Sequence, residues 1–87
     1  MPIKVLIASP LRPYTGADEV EATGATLGEL LADLDTRYPG IRFRMIDEQD
    51  GIRRHIRLFI NTEEAKDLSQ AVRPGDTVHL ICALSGG

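Results

Sequence analysis

The residues that are the best candidates for taking part in a chemical reaction are the last three of the sequence, Ser85-Gly86-Gly87. They directly follow the most strand-like run of the chain, residues 77–84. Because glycine has no Cβ, an extended Gly-Gly segment fits a slot that is too narrow for other residues. Three extended residues span roughly 10 Å. We therefore expect residues 85–87 to form an extended C-terminal tail that delivers the Gly87 carboxylate to another protein. Chain ends are often loose, so the alternative is a frayed terminus that has no role.

The chemistry available to this tail is that of a terminal carboxylate. It is ionised at neutral pH, so it can attack the α-phosphate of ATP, but it is inert as an acyl donor until it is activated. A mixed anhydride with AMP would make the Gly87 carbonyl electrophilic, and a sulfur nucleophile could then displace AMP to leave a thiocarboxylate. Ser85 and Gly86 would allow the tail to pass into the active site.

Catalysis by the chain itself is not expected. The only histidines, His55 and His79, have no serine or cysteine placed beside them by a recognisable motif. Cys82 alternates with Val78 and Leu80 and is therefore predicted to be a small core residue. One cysteine cannot form an internal disulfide, a four-thiolate cluster or a cysteine-based zinc site. The sequence contains no glycine-rich phosphate loop. We therefore expect that this chain binds no cofactor or metal, and that a partner enzyme binds the ATP.

Size and composition are those of one small globular domain. The chain has 87 residues, 43% of them hydrophobic and 26% charged, so we expect a single domain over residues 1–87. No apolar stretch approaches the length of a membrane span, and the start lacks a signal-peptide pattern, so we expect a cytoplasmic protein with no membrane partner.

The charge pattern argues against nucleic acid as a partner. The net charge is −3, whereas nucleic-acid binders are generally basic. Arginines do concentrate in one segment, at Arg42, Arg44, Arg53, Arg54 and Arg57. This segment lacks interleaved aromatic residues for base stacking, so it is predicted to be a solvated or partner-facing edge.

Local patterns predict a hairpin, a helix and two further strands. Residues 3–8 and 17–23 read as the two strands of the hairpin, joined by a turn or loop at residues 9–16 that contains two prolines. Thr26 and Glu29 fit a capping box at the start of a helix over residues 27–38, in which each side chain binds a free amide of the first turn. A short helical turn and a polar reversal follow in residues 41–54. Residues 56–61 and 77–84 are strands, with a polar connection at residues 62–67 and a packed turn near Val72.

The first and last strands are apolar on both sides, which places them next to each other, parallel, in the middle of the sheet. With one main helix across one face of a mixed sheet of four to five strands, this is an α+β, β-grasp (ubiquitin-like) arrangement. The other face would then carry an apolar patch leading toward the tail. We expect this patch to bind partner proteins, and its predicted residues are Leu6, Ala8, Phe59, Ile81 and Ala83.

Several motifs, taken in order, resemble the MoaD/ThiS group of ubiquitin-like sulfur carrier proteins. They are the Ile-Lys-Val-Leu opening, Thr26-Leu27-Gly28-Glu29-Leu30-Leu31, Tyr38-Pro39-Gly40, a strand that closes in Asn61, Pro74-Gly75-Asp76-Thr77-Val78, and the final Gly86-Gly87. Within the group, residues 11–16 and the segment through Arg53-Arg54 look most similar to the CysO-type carriers of cysteine biosynthesis. This chain departs from the group at Cys82-Ala83-Leu84-Ser85, where such carriers often have a Pro-Ala-Val run.

The resemblance implies a function in sulfur transfer. Gly87 would be adenylated by a ThiF/MoeB-like enzyme and converted to a thiocarboxylate. A pyridoxal-phosphate-dependent cysteine synthase would accept the sulfur, and a zinc metallopeptidase would release cysteine. Two alternatives stay open: a small subunit of molybdopterin synthase, which requires a MoaE-like partner, and a β-grasp binding or regulatory module whose tail has no role.

Overall fold

A computed structural model describes residues 2–82 of the chain. The predictions that concern residues 83–87 lie outside the described residues. The elements, in chain order, are β1 (Ile3–Ile7), a 3-10 turn (Ser9–Leu11), α1 (Arg12–Thr15), β2 (Glu19–Ala22), α2 (Leu27–Arg37), α3 (Ile41–Met45), β3 (Ile56–Ile60), β4 (Glu63–Glu64) and β5 (Thr77–Cys82). Among residues 2–82, no helix is long and apolar enough to span a bilayer.

The five strands form one mixed sheet in the order β2-β1-β5-β3-β4. β1 and β5 are parallel neighbours, as predicted, and Val5 lies opposite Val78. β1 pairs antiparallel with β2, and β5 pairs antiparallel with β3. The fold is therefore the predicted β-grasp, with its two most apolar strands inside the sheet.

Helix α2 supplies the largest share of the core from outside the sheet. Its buried residues recur at the spacing of one helix face, and they are Leu27, Leu30, Leu31 and Leu34. The helix begins as predicted, because the Glu29 amide donates to the Thr26 hydroxyl over 3.2 Å. The reciprocal bond differs from the prediction: the Glu29 carboxylate accepts from the amide of Ala25, which precedes the cap residue, over 3.0 Å. The carboxylate thus fixes the entry of the chain into the helix rather than its first turn.

Asp33 ties α2 to the strand before it. Its carboxylate accepts from the Thr23 amide and from Arg37 Nε, each over 2.9 Å. The hydrogen bond from the Thr23 amide contributes most to lowering the Asp33 pKa; burial opposes this shift, and the Arg37 guanidinium lowers the pKa further. The charged side of the helix therefore also helps to set its position over the sheet.

The predicted helical turn and polar reversal after α2 are both present. Gly40 adopts a φ of 97°, which favours glycine, and leads the chain into α3. Ile41, Met45 and Ile46 are fully buried. Because these apolar residues are divided between a short helix and the extended segment that follows it, their spacing in the sequence matches neither a helical nor a strand period. The Asp47 carboxylate then accepts from the amides of Gln49 and Gly51, each over 2.9 Å, to close the reversal.

Two segments are more regular than predicted. Residues 9–16, predicted as a turn or loop, form the 3-10 turn and then the short helix α1, because Leu11 is buried and the prolines lie in the first turns, where no amide donor is needed. Residues 62–67 contain β4, a two-residue edge strand. The Ala65 amide donates to the Leu58 carbonyl over 2.7 Å, so Ala65 turns its methyl group into the core.

Burial in the core provides a direct test of the α2 assignment. Leu34 has no exposed surface, so Leu34→Asp should place an unpaired carboxylate in the core and cost about 4 kcal/mol or more. A domain of this size has about 5–15 kcal/mol of stability, so Leu34→Asp should remove a large fraction of it and strongly lower the midpoint of a urea titration followed by circular dichroism. Leu34→Ala should cost about 2–5 kcal/mol and remain folded.

The matched control is Ala32→Asp on the exposed side of the same helix. It introduces the same side chain at the cost of helix propensity alone, below about 1 kcal/mol. Equal losses for the Asp variants at positions 32 and 34 would contradict the assigned helix face.

Candidate docking face and tail exit

The side of the sheet opposite α2 is partly open and apolar at its centre. Strand pairing brings Leu6 of β1 and Phe59 of β3 to either side of His79 of β5. Ile81, two residues further along β5, lies opposite Arg57 and is 41% exposed. We call Leu6, Ala8, Phe59, His79 and Ile81 the open face.

The structure brings together four of the five predicted partner-binding residues. Leu6, Ala8 and Phe59 are half-buried and Ile81 is exposed, all on the open face. The fifth, Ala83, lies outside the described residues. His79 was not among the predicted patch residues, and it lies at the centre of the face. Its alternation with Ile81 along the strand could have placed it in the site.

The open face continues into a groove of about 380 Å³ at the carboxyl ends of β1 and β5. Its lining residues belong to those two strands and to the following turn, and they are Leu6, Ile7, Ala8, Ser9, Pro10, His79, Leu80, Ile81 and Cys82. Ser9 and Pro10 were not among the predicted site residues. The parallel pairing of β1 and β5 places the turn after β1 beside the end of β5, which brings these two residues into the groove. The groove therefore lies where the chain leads on to residues 83–87.

Charged pairs border the apolar centre on both sides. Lys4 Nζ lies 4.0 Å from a Glu19 carboxylate oxygen at the β2 side, and Arg57 Nε lies 3.6 Å from Glu64 at the β4 side. Such exposed pairs contribute little stability, but they keep edge strands soluble and leave an apolar centre within a polar rim. This is the composition of a protein–protein interface.

Cys82 lies at the margin of the core rather than within it, which corrects the prediction of a core residue. It is half-buried and pairs with Ile56 at the end of the β3–β5 ladder. Burial raises the pKa of its thiol, and the nearby Arg44 guanidinium partly opposes that shift. The thiol is therefore a poor nucleophile at neutral pH, as expected for a residue without a catalytic role.

The described part of the chain offers little for catalysis or metal binding. Within residues 2–82, no polar or charged residue is buried, and no group of three histidine, cysteine or acidic side chains could hold a metal ion. The geometry of this region supports recognition of another molecule. The predicted chemical site, Gly87 with Ser85 and Gly86 before it, lies outside the described residues.

Comparison with known proteins agrees with this geometry. The ThiS family model matches residues 5–87. The chain belongs to the ThiS family. It is 34% identical to the sulfur carrier protein CysO of Mycobacterium tuberculosis over an alignment of 93 positions that covers both chains completely.

Solved structures of ThiS-family relatives have the same fold. One chain of the Amycolatopsis orientalis BexX/CysO complex matches with a TM-score of 0.90 and 35% identity, covering 98% of this chain and 99% of that chain. The crystal structure of Mycobacterium tuberculosis CysO matches with a TM-score of 0.87 and 33% identity, covering 94% of this chain and 99% of that chain. The resemblance to CysO-type carriers that the sequence motifs indicated is thereby confirmed.

The placement of Cys82 can be tested by alkylation with iodoacetamide as a function of pH. Because burial raises the thiol pKa, the midpoint of the rate profile should lie above that of the same chain unfolded in urea. Arg44→Ala should raise the midpoint further, since it removes the cation that stabilises the thiolate, and Arg73→Ala should leave it unchanged. A native midpoint below the unfolded one would contradict the half-buried position.

Proposed function

We propose that this chain is a sulfur carrier whose reactive group is the C-terminal carboxylate of Gly87. The observation that carries the proposal is the end-to-end similarity to CysO sulfur carriers, in a chain whose apolar open face runs to the end of β5. The similarity to CysO carriers supports a role as a protein co-substrate of partner enzymes and not as an enzyme.

The chemistry proceeds in two displacements. A ThiF/MoeB-like partner binds ATP, and a Gly87 carboxylate oxygen attacks its α-phosphorus, which releases pyrophosphate and leaves a Gly87–AMP mixed anhydride. A sulfur nucleophile, such as hydrosulfide or a persulfide on a partner, then attacks the Gly87 carbonyl carbon. The C–O bond to AMP breaks and AMP departs. With hydrosulfide, loss of the proton leaves the thiocarboxylate. With a persulfide, the product is an acyl disulfide, and a second thiol of the partner then attacks the partner's own sulfur, which breaks the S–S bond, releases the Gly87 thiocarboxylate and leaves a disulfide on the partner.

The residues before Gly87 allow its carboxylate to reach the active site of a partner enzyme. Gly86 lacks a side chain and Ser85 has a small one, so together they allow the carboxylate to enter a narrow active site. The open face supplies binding energy away from the reacting atoms, chiefly through Leu6, Ala8, Phe59 and Ile81, and we include Ala83 in the same role. Binding at a remote apolar surface is well suited to a carrier that must engage more than one enzyme through one tail.

The similarity to CysO carriers supports cysteine biosynthesis as the destination of the sulfur. In this pathway, the thiocarboxylate sulfur adds to an aminoacrylate held by a pyridoxal-phosphate-dependent cysteine synthase, and a zinc metallopeptidase later releases cysteine from the carrier. Because activation consumes ATP, we place the carrier in the cytoplasm. A MoaE-like subunit as the acceptor would instead make the chain a molybdopterin synthase subunit.

The intact mass of the protein tests the proposal. Incubation with the ThiF/MoeB-like enzyme of the same genome, ATP and a sulfur source should raise the mass by about 16 Da, as sulfur replaces one oxygen of the Gly87 carboxylate. Deletion of Gly87, or extension of the chain beyond it, should abolish the gain while the circular dichroism spectrum stays native. A mass gain that survives the deletion would show that another group carries the sulfur, and no gain in the intact chain would reject the carrier function.

Transfer assays with the same enzymes test the open face. Ile81→Asp should raise KM for the carrier roughly tenfold, because a carboxylate replaces an apolar contact at the centre of an interface, and it should change kcat little. It should unfold at nearly the same urea concentration as the parent, since Ile81 is 41% exposed. Ala32→Asp, on the other side of the domain, is the matched control, and an equal effect of both variants would rule out the open face as the docking surface.

A further inference from the structure

A second surface, on the helix side of the sheet, lies beside the same end of β5. Phe43, Arg44, Arg53 and His55 line a cavity of about 260 Å³, which we call the basic cleft. Arg44 is close enough to Cys82, the last described residue, to influence its thiol electrostatically. Since Ile81 and Cys82 point to opposite faces of the sheet, the open face and the basic cleft lie on either side of the chain as it leaves β5.

The basic cleft is held in place by contacts of its own residues. The Arg53 guanidinium lies over the Phe43 ring, with 4.6 Å from its central carbon to the ring centroid. Arg53 Nε donates to the Phe43 carbonyl over 2.7 Å, and the Arg53 amide donates to the Met45 carbonyl over 2.9 Å. These contacts orient the guanidinium before any ligand arrives, so little conformational entropy is lost on binding.

Arg44 and Arg53 of the basic cleft form no ion pair in the described part of the chain. The Asp47 pKa is lowered mainly by the hydrogen bond from the Gly51 amide, although the Arg53 guanidinium lies near enough to the Asp47 carboxylate to help lower it. Arg12, Arg37, Arg42 and Arg57 each form an ion pair with a carboxylate. Arg44 and Arg53 form none with residues 2–82. Phe43, 57% exposed, is the most exposed large apolar residue of the described region. Unpaired guanidinium groups beside an exposed ring form a site for carboxylates carried on a partly apolar surface.

The reach of the chain indicates which molecule carries those carboxylates. Gly87 lies five residues beyond Cys82, so it can be at most roughly 17 Å from that residue. Any enzyme whose active site receives Gly87 must therefore bring its surface close to the end of β5, beside the basic cleft. This argument rests on the proposed function, because it requires that an enzyme acts on Gly87.

We propose that the basic cleft binds an acidic segment of the enzymes that act on Gly87, with carboxylates pairing to Arg44 and Arg53 and an apolar side chain packing on Phe43. Nucleic acid is the weaker candidate. The chain has a net charge of −3, and Asp47 and Glu48 border the neighbouring surface of Arg53. A nucleic-acid strand would have to extend across these acids, whereas one or two carboxylates fit within the cleft.

Titration of the ¹⁵N-labelled full chain, followed by NMR, tests the ligand class. The probes are a short polyglutamate peptide, inorganic phosphate and a short single-stranded oligodeoxythymidine. The peptide should shift the signals of Arg44, Arg53 and His55, and Arg44→Glu should weaken its binding roughly tenfold. Arg73→Glu, at the opposite end of β5, should bind like the parent. Tighter binding of the oligonucleotide, equal binding of phosphate, or shifts outside the cleft would each overturn the proposal.

A second measurement separates this proposal from the carrier function. In ATP–pyrophosphate exchange with the ThiF/MoeB-like enzyme, Arg44→Glu should raise KM for the carrier several-fold, and Arg73→Glu should not. If the parent chain supports exchange and the two variants behave alike, the basic cleft has no role and the carrier function stands. If the parent supports no exchange, the carrier function fails, and the peptide titration still decides whether the basic cleft binds carboxylates.

Discussion

The parallel pairing of β1 and β5 is the constraint on which the rest of the structure depends. Both strands are apolar on both sides, and both lie inside the sheet. Within residues 2–82, α2 is the one helix longer than five residues, so this part of the chain covers only one face of these strands. The other face must remain partly open, and the apolar side chains there are available to another protein. Stability and recognition thus come from the two sides of the same strand pair.

The same pairing decides where chemistry can take place. Parallel strands end at the same edge, so the turn after β1 and the end of β5 border one groove. The open face lies on one side of this exit and the basic cleft on the other. In the function that we propose, the carrier needs no active site of its own, because its body would fix the position and approach of the Gly87 carboxylate while the partner would supply nucleotide and catalytic groups.

Much of the fold followed from local patterns in the chain. The leucines of α2 recur at helical spacing next to a capping residue, and the alternation in β1, β3 and β5 matches their buried sides. Short elements were harder. The segment from Ser9 to Thr15 contains two prolines and only one buried residue, Leu11, so its composition is that of a loop although its backbone is helical. β4 has two exposed or half-exposed glutamates and is a strand only because β3 presents a free edge to it.

The candidate site divides in the same way. The sequence by itself determined the apolar residues of the open face, since their alternation along three strands is visible without coordinates, and it determined the family through motifs spread along the chain. Only the tertiary structure placed His79 at the centre of the face and brought Arg44 and Arg53, which are separated by a turn, together around Phe43 beside Cys82. The physical reason is that periodicity is a local property of the sequence and reports only which side of an element a residue lies on. Whether charged side chains from different elements come together depends on how those elements pack in the tertiary structure.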